Sequence, residues 1–385
     1  MDCCFTEEQV LLRESVQKLM AKHCPPAVMR QIDHEKRYPY ELYDAWVEAG
    51  LIGMPFAEAY GGLAGGAVDS CIIMEEIARV SADLSMMIGG SIFCGLNIQR
   101  KGSEEQKRYW LPKLIKGEIK MSISMSEPDA GSDVGAMRTT AVRDGDHYVI
   151  NGQKLWATGA GAKGSVINMY VKTDPKAHYR QGLSLFLIDN NTPGLELRKL
   201  DMLGRYCTGT YEIFLKDVRV PADRLIGGEE GHGLQHALSG LELGRINVAA
   251  RGVGIAQAAL DHSLRYAQQR HTFGKPIAQH QAIQLKLADM ATRTEAARLL
   301  TRRAAEMYDR GDRCDMEAGM AKLFATEAAL ENATEAMRVH GGYGYSTEFP
   351  VERLYHDAPL LVIGEGTNEL QRIIIARQLV ARNPV

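Results

Sequence analysis

Glu365 stands between Gly364 and Gly366. A carboxylate flanked by glycines can work as a base close to a substrate, because neither neighbour puts a side chain in the way. A dry surrounding disfavours a carboxylate's charge and tunes it toward proton abstraction near neutral pH. Taken alone, the tripeptide reads equally as an exposed loop acid. The other groupings carry less chemistry. His232 and His236 have the i, i+4 spacing of a metal pair, but His232 lies between glycines at a helix start and no third ligand is recognisable nearby. Glu127, Asp129 and Asp133 crowd one segment without calcium-loop spacing, and read as loop-forming and helix-capping groups. No metal is expected. Gly252-Val-Gly254 falls inside a helical run rather than after a strand, so it is a poor dinucleotide fingerprint, and no Walker A sequence is present. The cysteines, at Cys3, Cys4, Cys24, Cys71, Cys94, Cys207 and Cys314, are scattered, odd in number and without CxxC spacing. Reduced, core-filling thiols in a cytosolic enzyme are the natural reading.

The elements that would hold these groups fall into three stretches. Residues 1–121 read as helices, with Leu11, Leu12, Val16 and Met20 at helical spacing. Ser103-Glu-Glu-Gln106 resembles a capping box, and an apolar helical pattern runs from Met74 to Ile98. Residues 122–229 read as a β region, a small barrel or pair of sheets. Strand-like runs lie at Val166–Lys172, Leu183–Ile188, Leu195–Arg198 and Tyr211–Val220, with Pro221 ending the last. In His147–Trp156, Asn151-Gly152 predicts a two-residue hairpin turn. Residues 230–385 turn helical again, with candidate helices at about 234–268, 278–310, 314–339 and 368–381, and glycine-rich breaks at 341–344 and 364–366. Their length suggests a four-helix bundle. The expected fold class is α+β multidomain: helical, then β, then helical.

Composition narrows the function. At 385 residues the chain is long for one core. Hydrophobic content of 45% and charged content of 24% are ordinary for a soluble protein. A formal net charge of −3 supplies no basic field for nucleic acid or a membrane surface. No apolar run approaches the ~20 residues that a spanning helix needs. Met1–Gln9 is polar and acidic, unlike a signal or transit peptide, so a cytoplasmic location is expected.

Several segments resemble the acyl-CoA dehydrogenase family in order and content. Ser126-Glu-Pro-Asp-Ala-Gly-Ser-Asp133 is similar to its signature, and Asn151-Gly-Gln-Lys-Leu-Trp-Ala-Thr158 to its N-G-x-K-x-W-I-T segment. Gly244-Arg245, Arg270–Lys275, Gln281, His340–Gly344, Pro350–Arg353 and Glu365–Thr367 follow in the expected sequence. The resemblance spans residues 6 to 380, and the helical–β–helical order is also the family's.

The resemblance implies FAD-dependent α,β-dehydrogenation of an acyl-CoA thioester to the 2-enoyl-CoA. Glu365 would take the α-proton, flavin would take the hydride that no side chain can accept, and an electron-transfer flavoprotein would receive the electrons. Part of the family carries its base on an earlier helix; Gly244 stands there, which favours Glu365. The thioester oxygen would be held by the Glu365 backbone N–H and a flavin ribityl hydroxyl. For the cofactor, the resemblance implies Met125 and Ser126 at the isoalloxazine edge, Trp156 near its ring and Thr158 at its reactive nitrogen. Trp156 and Thr158, two apart on a strand, should share a face. Arg270, Phe273, Gln281, Gly341 and Gly342 would serve the flavin of a neighbouring subunit, and Thr367 and Glu369 its nucleotide end. Arg338 and Glu369 depart from the amide side chains common at their positions. For substrate, Ser132 would touch the pantetheine arm, Arg245 would order the catalytic end, and Gly364 and Gly366 would frame the base. Gly364 replaces a tyrosine found in several straight-chain enzymes, and Met86, Met87, Gly89 and Gly90 fall where the acyl tail is lined. A branched, cyclic or bulky acyl group is expected. A homotetramer built as a dimer of dimers is the family expectation.

Two other readings compete. The same fold supports an oxidase, a nitroalkane oxidase or monooxygenase, an enoyl-CoA reductase or a carrier-protein thioester dehydrogenase. The nitroalkane oxidases use aspartate as base, against which Glu365 speaks. A non-catalytic flavin-binding or helical interaction protein would not need Glu365, Thr158 and Arg270 together.

Overall fold

The structure is a computed structural model that describes residues 5–384. Cys3 and Cys4 lie outside the described residues; the other five cysteines are buried. In chain order the first helices are α1 (Glu7–His23), α2 (Pro26–Glu35), α3 (Tyr40–Glu48), α4 (Ala67–Ala78), α5 (Ala82–Lys101) and α6 (Glu104–Ile115). The β stretch holds β1 (Lys120–Ser124), β2 (Thr140–Asp144), β3 (His147–Thr158), β4 (Ser165–Lys172), a short α7 (Tyr179–Gly182), β5 (Leu183–Asp189), β6 (Leu195–Lys199) and β7 (Thr210–Pro221). Then come α8 (Gly233–Leu238), α9 (Leu241–Gln269), the two-residue β8 (His271–Thr272) and β9 (Lys275–Pro276), α10 (Gln281–Asp309), α11 (Asp315–His340), α12 (Val351–Ile363) and α13 (Asn368–Arg382). The order is helical, β, helical, as the sequence predicts.

Contacts group the chain into two compact units, one of residues up to 35, 66–85 and from 242 onward, the other of 36–65 and 86–241. In the second unit, β1-β4-β2-β3-β7-β6 form one sheet, with β5 also on β4; β1 runs parallel to β4. β4 is buried along nearly its whole length, which explains its mostly apolar run. Asn168 on β4 donates to the Cys94 carbonyl, and Asn97 to the Tyr170 hydroxyl, so α5 covers this strand through its amide N–H groups, while the Oδ1 atoms of both asparagines are buried without a partner.

The Asn151-Gly152 hairpin is not formed. β3 runs straight through it, and Asn151 instead bonds the backbone N–H and carboxylate of Asp217 on β7. Gly152 is needed there for close approach, because a Cβ would lie 2.5 Å from Thr139 Oγ1. The hairpin lies earlier: β2 and β3 pair Asp144 with His147 around Gly145, whose φ is +64°.

In the first unit, α9 to α12 and α4 share a core that includes Ala78, Val248, Ile255, Met290, Ala329, Ala333 and Leu354. α11 contributes mostly alanines, so backbones pack closely. The Ser103 capping box on α6, in the second unit, is present in full. The candidate helix 234–268 is broken at Ser239-Gly240 into α8 and α9, and the 74–98 pattern is broken at Arg79–Ser81 into α4 and α5. α12, with Pro359 inside it, was not expected as a helix.

Candidate active site

Glu365 lies in the short connection between α12 and α13. Its φ is +54° and that of Gly366 is +84°, so two successive residues adopt left-handed backbone. For a glutamate this costs on the order of 1–2 kcal/mol, which the surroundings must offset. They do so from below. Lys322 on α11, with no exposed surface, donates to the Gly366 carbonyl at 2.9 Å and to Asn368 Oδ1 at 2.8 Å. Gln371 also donates to that carbonyl, and Asn368 bonds Thr326 and Glu327. Thr367 caps α13 by accepting from the Leu370 N–H at 3.3 Å. Burial pulls the Lys322 ammonium down to about 8, against the upward pull of Glu365 and Glu369. The Glu365 backbone N–H bonds to no described residue, so it is open for an incoming acceptor.

On its open side the Glu365 carboxylate, 41% exposed, meets Arg251 of α9: Nη1 donates to Oε1 at 3.3 Å, and the arginine side chain is 3% exposed. Arg245, one and a half turns earlier, is buried as well. Its Nε has no partner among the described residues, although the carboxylates of Glu242 and Asp315 act on it electrostatically. Burial lowers its pKa. Gly364 leaves the loop narrow; a Cβ there would come within 3.0 Å of the Leu360 carbonyl. Glu369 is exposed in the first turn of α13, 3.6 Å from Arg372.

Four further residues selected from the sequence converge elsewhere in the same unit. Arg270, Arg338, Gly341 and Gly342 line one cleft of about 710 Å³, with Tyr266, His340 and Tyr343. A Cβ on either glycine would meet nothing. Arg338 is also bonded to Glu335. Phe273 forms the turn of the β8–β9 hairpin with Gly274, and 96% of it is exposed. Gln281 opens α10 and is exposed. Two guanidiniums beside an open glycine corner suit a diphosphate, and an exposed aromatic suits a nucleotide base.

The second unit holds the remaining candidates. Met125 and Ser126 follow β1, and the Ser126 carbonyl accepts from the Leu155 N–H at 2.9 Å. Ser132 is exposed in the following loop. Glu127 forms that loop, accepting from the Arg138 and Thr139 N–H groups at 2.6 and 3.0 Å, and Asp133 caps the next turn at Gly135. Lys154, wholly buried, bonds Glu127 at 2.9 Å and the Met125 carbonyl at 3.1 Å. Burial lowers Lys154 to about 8; burial pushes Glu127 up, but Lys154 and the N–H donors bring it below its ordinary value. Beyond Lys154 the register with β7 slips by one residue, and Trp156 takes φ +64°. That bulge reverses the face of every later side chain. Tyr148, Ile150 and Lys154 are buried at even positions; after the slip Trp156 is 54% exposed and Thr158 half-buried, while Ala157 is buried. Thr158 lies 3.3 Å from the Thr210 hydroxyl. Of the seven described non-glycine residues with left-handed backbone, three are Trp156, Phe273 and Glu365, so strain gathers at residues that the sequence singles out for chemistry.

Sequence reasoning did not select Arg251, Lys322 or Lys154. Lys154 was within reach, since a lysine inside an alternating strand at an inward position demands a buried partner. The other two carry no local signal.

Three regions match acyl-CoA dehydrogenase domains: the N-terminal domain over residues 6–118, the middle domain over 122–218 and the C-terminal domain over 231–380. The chain is 41% identical over 379 residues to an acyl-CoA dehydrogenase of Bacillus subtilis, covering 97% of this chain and 98% of that one. It is 36% identical over 380 residues to a subunit of the caffeyl-CoA reductase-Etf complex of Acetobacterium woodii, covering 98% and 100%. The structure of butyryl-CoA dehydrogenase from Megasphaera elsdenii superposes with a TM-score of 0.93 at 35% identity, covering 99% of this chain and 100% of that one. With all three domains matched in order and relatives similar end to end, the chain belongs to the acyl-CoA dehydrogenase family, a family of FAD-dependent oxidoreductases.

Proposed function

We propose that the protein dehydrogenates an acyl-CoA thioester to the 2-enoyl-CoA, with Glu365 as the base. The observation that carries this reading is the Glu365 loop itself. A carboxylate held in left-handed backbone by a buried lysine, with its own N–H open, presents a base and an oxyanion donor from one residue. The thioester oxygen accepts from that N–H, a preorganised contact worth about 3 kcal/mol by analogy with other oxyanion sites. The α-proton passes to Glu365 Oε, and FAD, when bound, supplies the acceptor for the hydride from the β-carbon. Met125, Ser126, Trp156 and Thr158 would hold the ring end of the flavin. Arg270, Phe273, Gln281, Arg338, Gly341 and Gly342 of a second copy would hold its pyrophosphate and adenine, and Thr367 and Glu369 would approach the nucleotide end. The exposed Phe273 and the arginine cleft support that sharing, and a homotetramer is the assembly we infer. Ser132 would meet the pantetheine arm, and Arg245 would order the catalytic end. The missing side chain at Gly364 supports a branched, cyclic or bulky acyl group. Electrons would leave to an electron-transfer flavoprotein in the cytoplasm.

The relative from Acetobacterium favours a second reading, reduction of a 2-enoyl-CoA by the same groups in reverse. An anaerobic titration with acyl-CoA thioesters, on the wild type and on Glu365→Gln, separates the readings. Bleaching of the flavin by one acyl class, abolished in the variant, supports the dehydrogenase. Reoxidation of the reduced flavin by an enoyl-CoA, with no bleaching by any acyl-CoA, supports the reductase. Equal bleaching of both proteins removes Glu365 from the base role.

A further inference from the structure

A second cleft, of about 430 Å³, lies within the second unit and is lined by no residue given a role above. Its walls are the connection before α3 and the first turn of that helix, the β3–β4 connection, the end of β6 and the start of β7. Lys199 and Tyr211 are direct partners across β6 and β7, so their side chains share a face. The Tyr211 ring is wedged between glycines. A Cβ on Gly161 would fall 2.2 Å from it, and one on Gly209 would fall 3.1 Å from its hydroxyl and 3.2 Å from Lys199 Cε. The hydroxyl and the end of the lysine are therefore neighbours. Lys199 Nζ donates to the Lys36 carbonyl at 3.0 Å and so tethers a residue whose φ is +50°. Backbone of that kind in a non-glycine residue is strained and gathers at functional sites.

The cleft is rich in donors and poor in acceptors. Neither Lys36 nor Lys199 has a carboxylate partner among the described residues; the Lys36 ammonium lies over the Tyr206 ring at 5.3 Å. Glu41 is the carboxylate of the lining, and Arg37 meets it at 2.7 Å. The Tyr40 hydroxyl accepts from the Lys163 N–H at 2.8 Å, and its own proton has no described acceptor. The Tyr211 hydroxyl has no described hydrogen-bond partner, and burial, then the neighbouring Tyr40, raises its pKa, so it stays a donor. The Gly161 N–H, on the residue that presses against the Tyr211 ring, bonds to no described residue either. Buried Lys120 adds a further ammonium 5.7 Å from the centre of the Tyr40 ring, with Asp44 as the carboxylate that acts on it.

We propose that this cleft binds a small phosphate monoester, with Lys36, Lys199, Tyr40, Tyr211 and the Gly161 N–H as donors to the phosphate. A carboxylate brings two oxygens and one charge. A phosphate monoester brings three terminal oxygens and nearly two charges at neutral pH, the better match to a set of donors that includes two cations. Lysine suits such a group because it acts on phosphate as a point charge, without a fixed fork. The cleft is larger than a phosphate ion, and the rings of Tyr38 and Tyr40, 4.7 Å apart, give an organic body an aromatic wall. The site stands whichever way the flavin reaction runs.

The test is isothermal titration calorimetry of the flavin-loaded protein, whose own phosphate contacts FAD already fills. Inorganic phosphate, phenyl phosphate and benzoate are the probes. The expected result is one phenyl phosphate per chain, held about tenfold more tightly than inorganic phosphate or benzoate. Its affinity should rise from pH 5 to pH 7, as the monoester loses its second proton at about 6. Lys199→Gln and Tyr211→Phe should each weaken phenyl phosphate about tenfold and leave turnover in its absence unchanged. Flavin content and far-UV circular dichroism establish that each variant is folded. No saturable heat with either phosphate probe at millimolar concentration overturns the inference. Two folded variants that bind phenyl phosphate like the wild type overturn it as well, since the ligand then lies elsewhere. Benzoate bound more tightly than phenyl phosphate overturns the assignment to phosphate.

Discussion

The ammonium of Lys322 and the carbonyl of Gly366 are 2.9 Å apart, both beneath the Glu365 loop, and Lys322 has no exposed surface. This bond holds the left-handed turn that aims the base. Replacing Lys322 with Met leaves the Gly366 and Asn368 oxygens without their cation, so we expect kcat/KM to fall about 100-fold with far less change in KM. Burial brings Lys322 to about 8, so the wild-type rate should decline above that pH as the ammonium loses its proton. Stability moves the other way. Between about 8 and 10.5 the unfolded chain still binds the proton that the folded chain has released, so folding gains with pH across that window. The decline in rate is therefore not unfolding. Lys322→Arg should shift the alkaline limb upward; an unmoved limb removes Lys322 from this role.

On the acid side, His236 and His262 should weaken the fold. Burial, then neighbouring positive charge from Lys101 and Arg265 respectively, lowers both to about 4 from 6.5. Between those values the unfolded chain binds protons that the folded chain refuses, so stability falls as pH drops through the window, on the order of 2 kcal/mol per histidine. Melting curves at pH 7, 6 and 5 read this directly. The double variant His236→Asn with His262→Asn should melt with a flatter dependence; an equally steep fall assigns the acid sensitivity to other groups.

What the sequence exposed and what it hid follow a physical line. Glu365 was legible because glycines on both sides are a local signature of a tight, accessible turn. The shared face of Trp156 and Thr158 follows from their spacing, but the slip after Lys154 that turns this face outward depends on pairing with β7 and leaves no local mark. Asn151-Gly152 has the composition of a hairpin turn; Thr139 pressing on Gly152 uses the glycine for clearance instead. Arg270, Arg338 and the Gly341–Gly342 corner meet in one cleft because α9 and α11 end side by side. Arg251 and Lys322 were missed because burial of a charge is a property of packing: each looks like a surface residue in its own segment, whereas Lys154 stands at an inward position of its strand. α12 was missed because Pro359 reads as a stop, whereas its neighbours continue the helix through it.

Lys154 should be as indispensable to its unit as Lys322 is to the other. It is buried with Glu127 and also holds the Met125 carbonyl, so it joins the segment before the candidate flavin contacts to the strand that carries Trp156 and Thr158. Lys154→Met leaves the Glu127 carboxylate buried without its cation. Removing one partner of a buried pair typically costs about 3–5 kcal/mol. We expect a lowered melting temperature together with weakened flavin retention on gel filtration. Normal flavin content in a protein that merely melts earlier would show that Lys154 supports the fold and not the site.

Phe273 offers the opposite case, a residue that the fold would be better without. Both Phe273 and Gly274 have positive φ, at +52° and +78°, in a two-residue turn between β8 and β9. Asparagine followed by glycine is the pairing that such a turn favours, whereas phenylalanine is strained there. The ring gains little in return within the chain, since 96% of it is exposed and its nearest ring neighbour, His280, stands 6.0 Å away edge-on. Phe273→Asn should therefore raise the stability of the flavin-free protein by roughly 0.5–1 kcal/mol, in line with other relieved left-handed positions. If the ring serves the flavin of a second copy, the same change should raise the dissociation constant for FAD about tenfold, by loss of a stacked aromatic. Calorimetry of the apoprotein and fluorescence titration with FAD give the two quantities separately. A variant that is more stable and binds FAD as tightly as wild type would place the strain of Phe273 in some other contact.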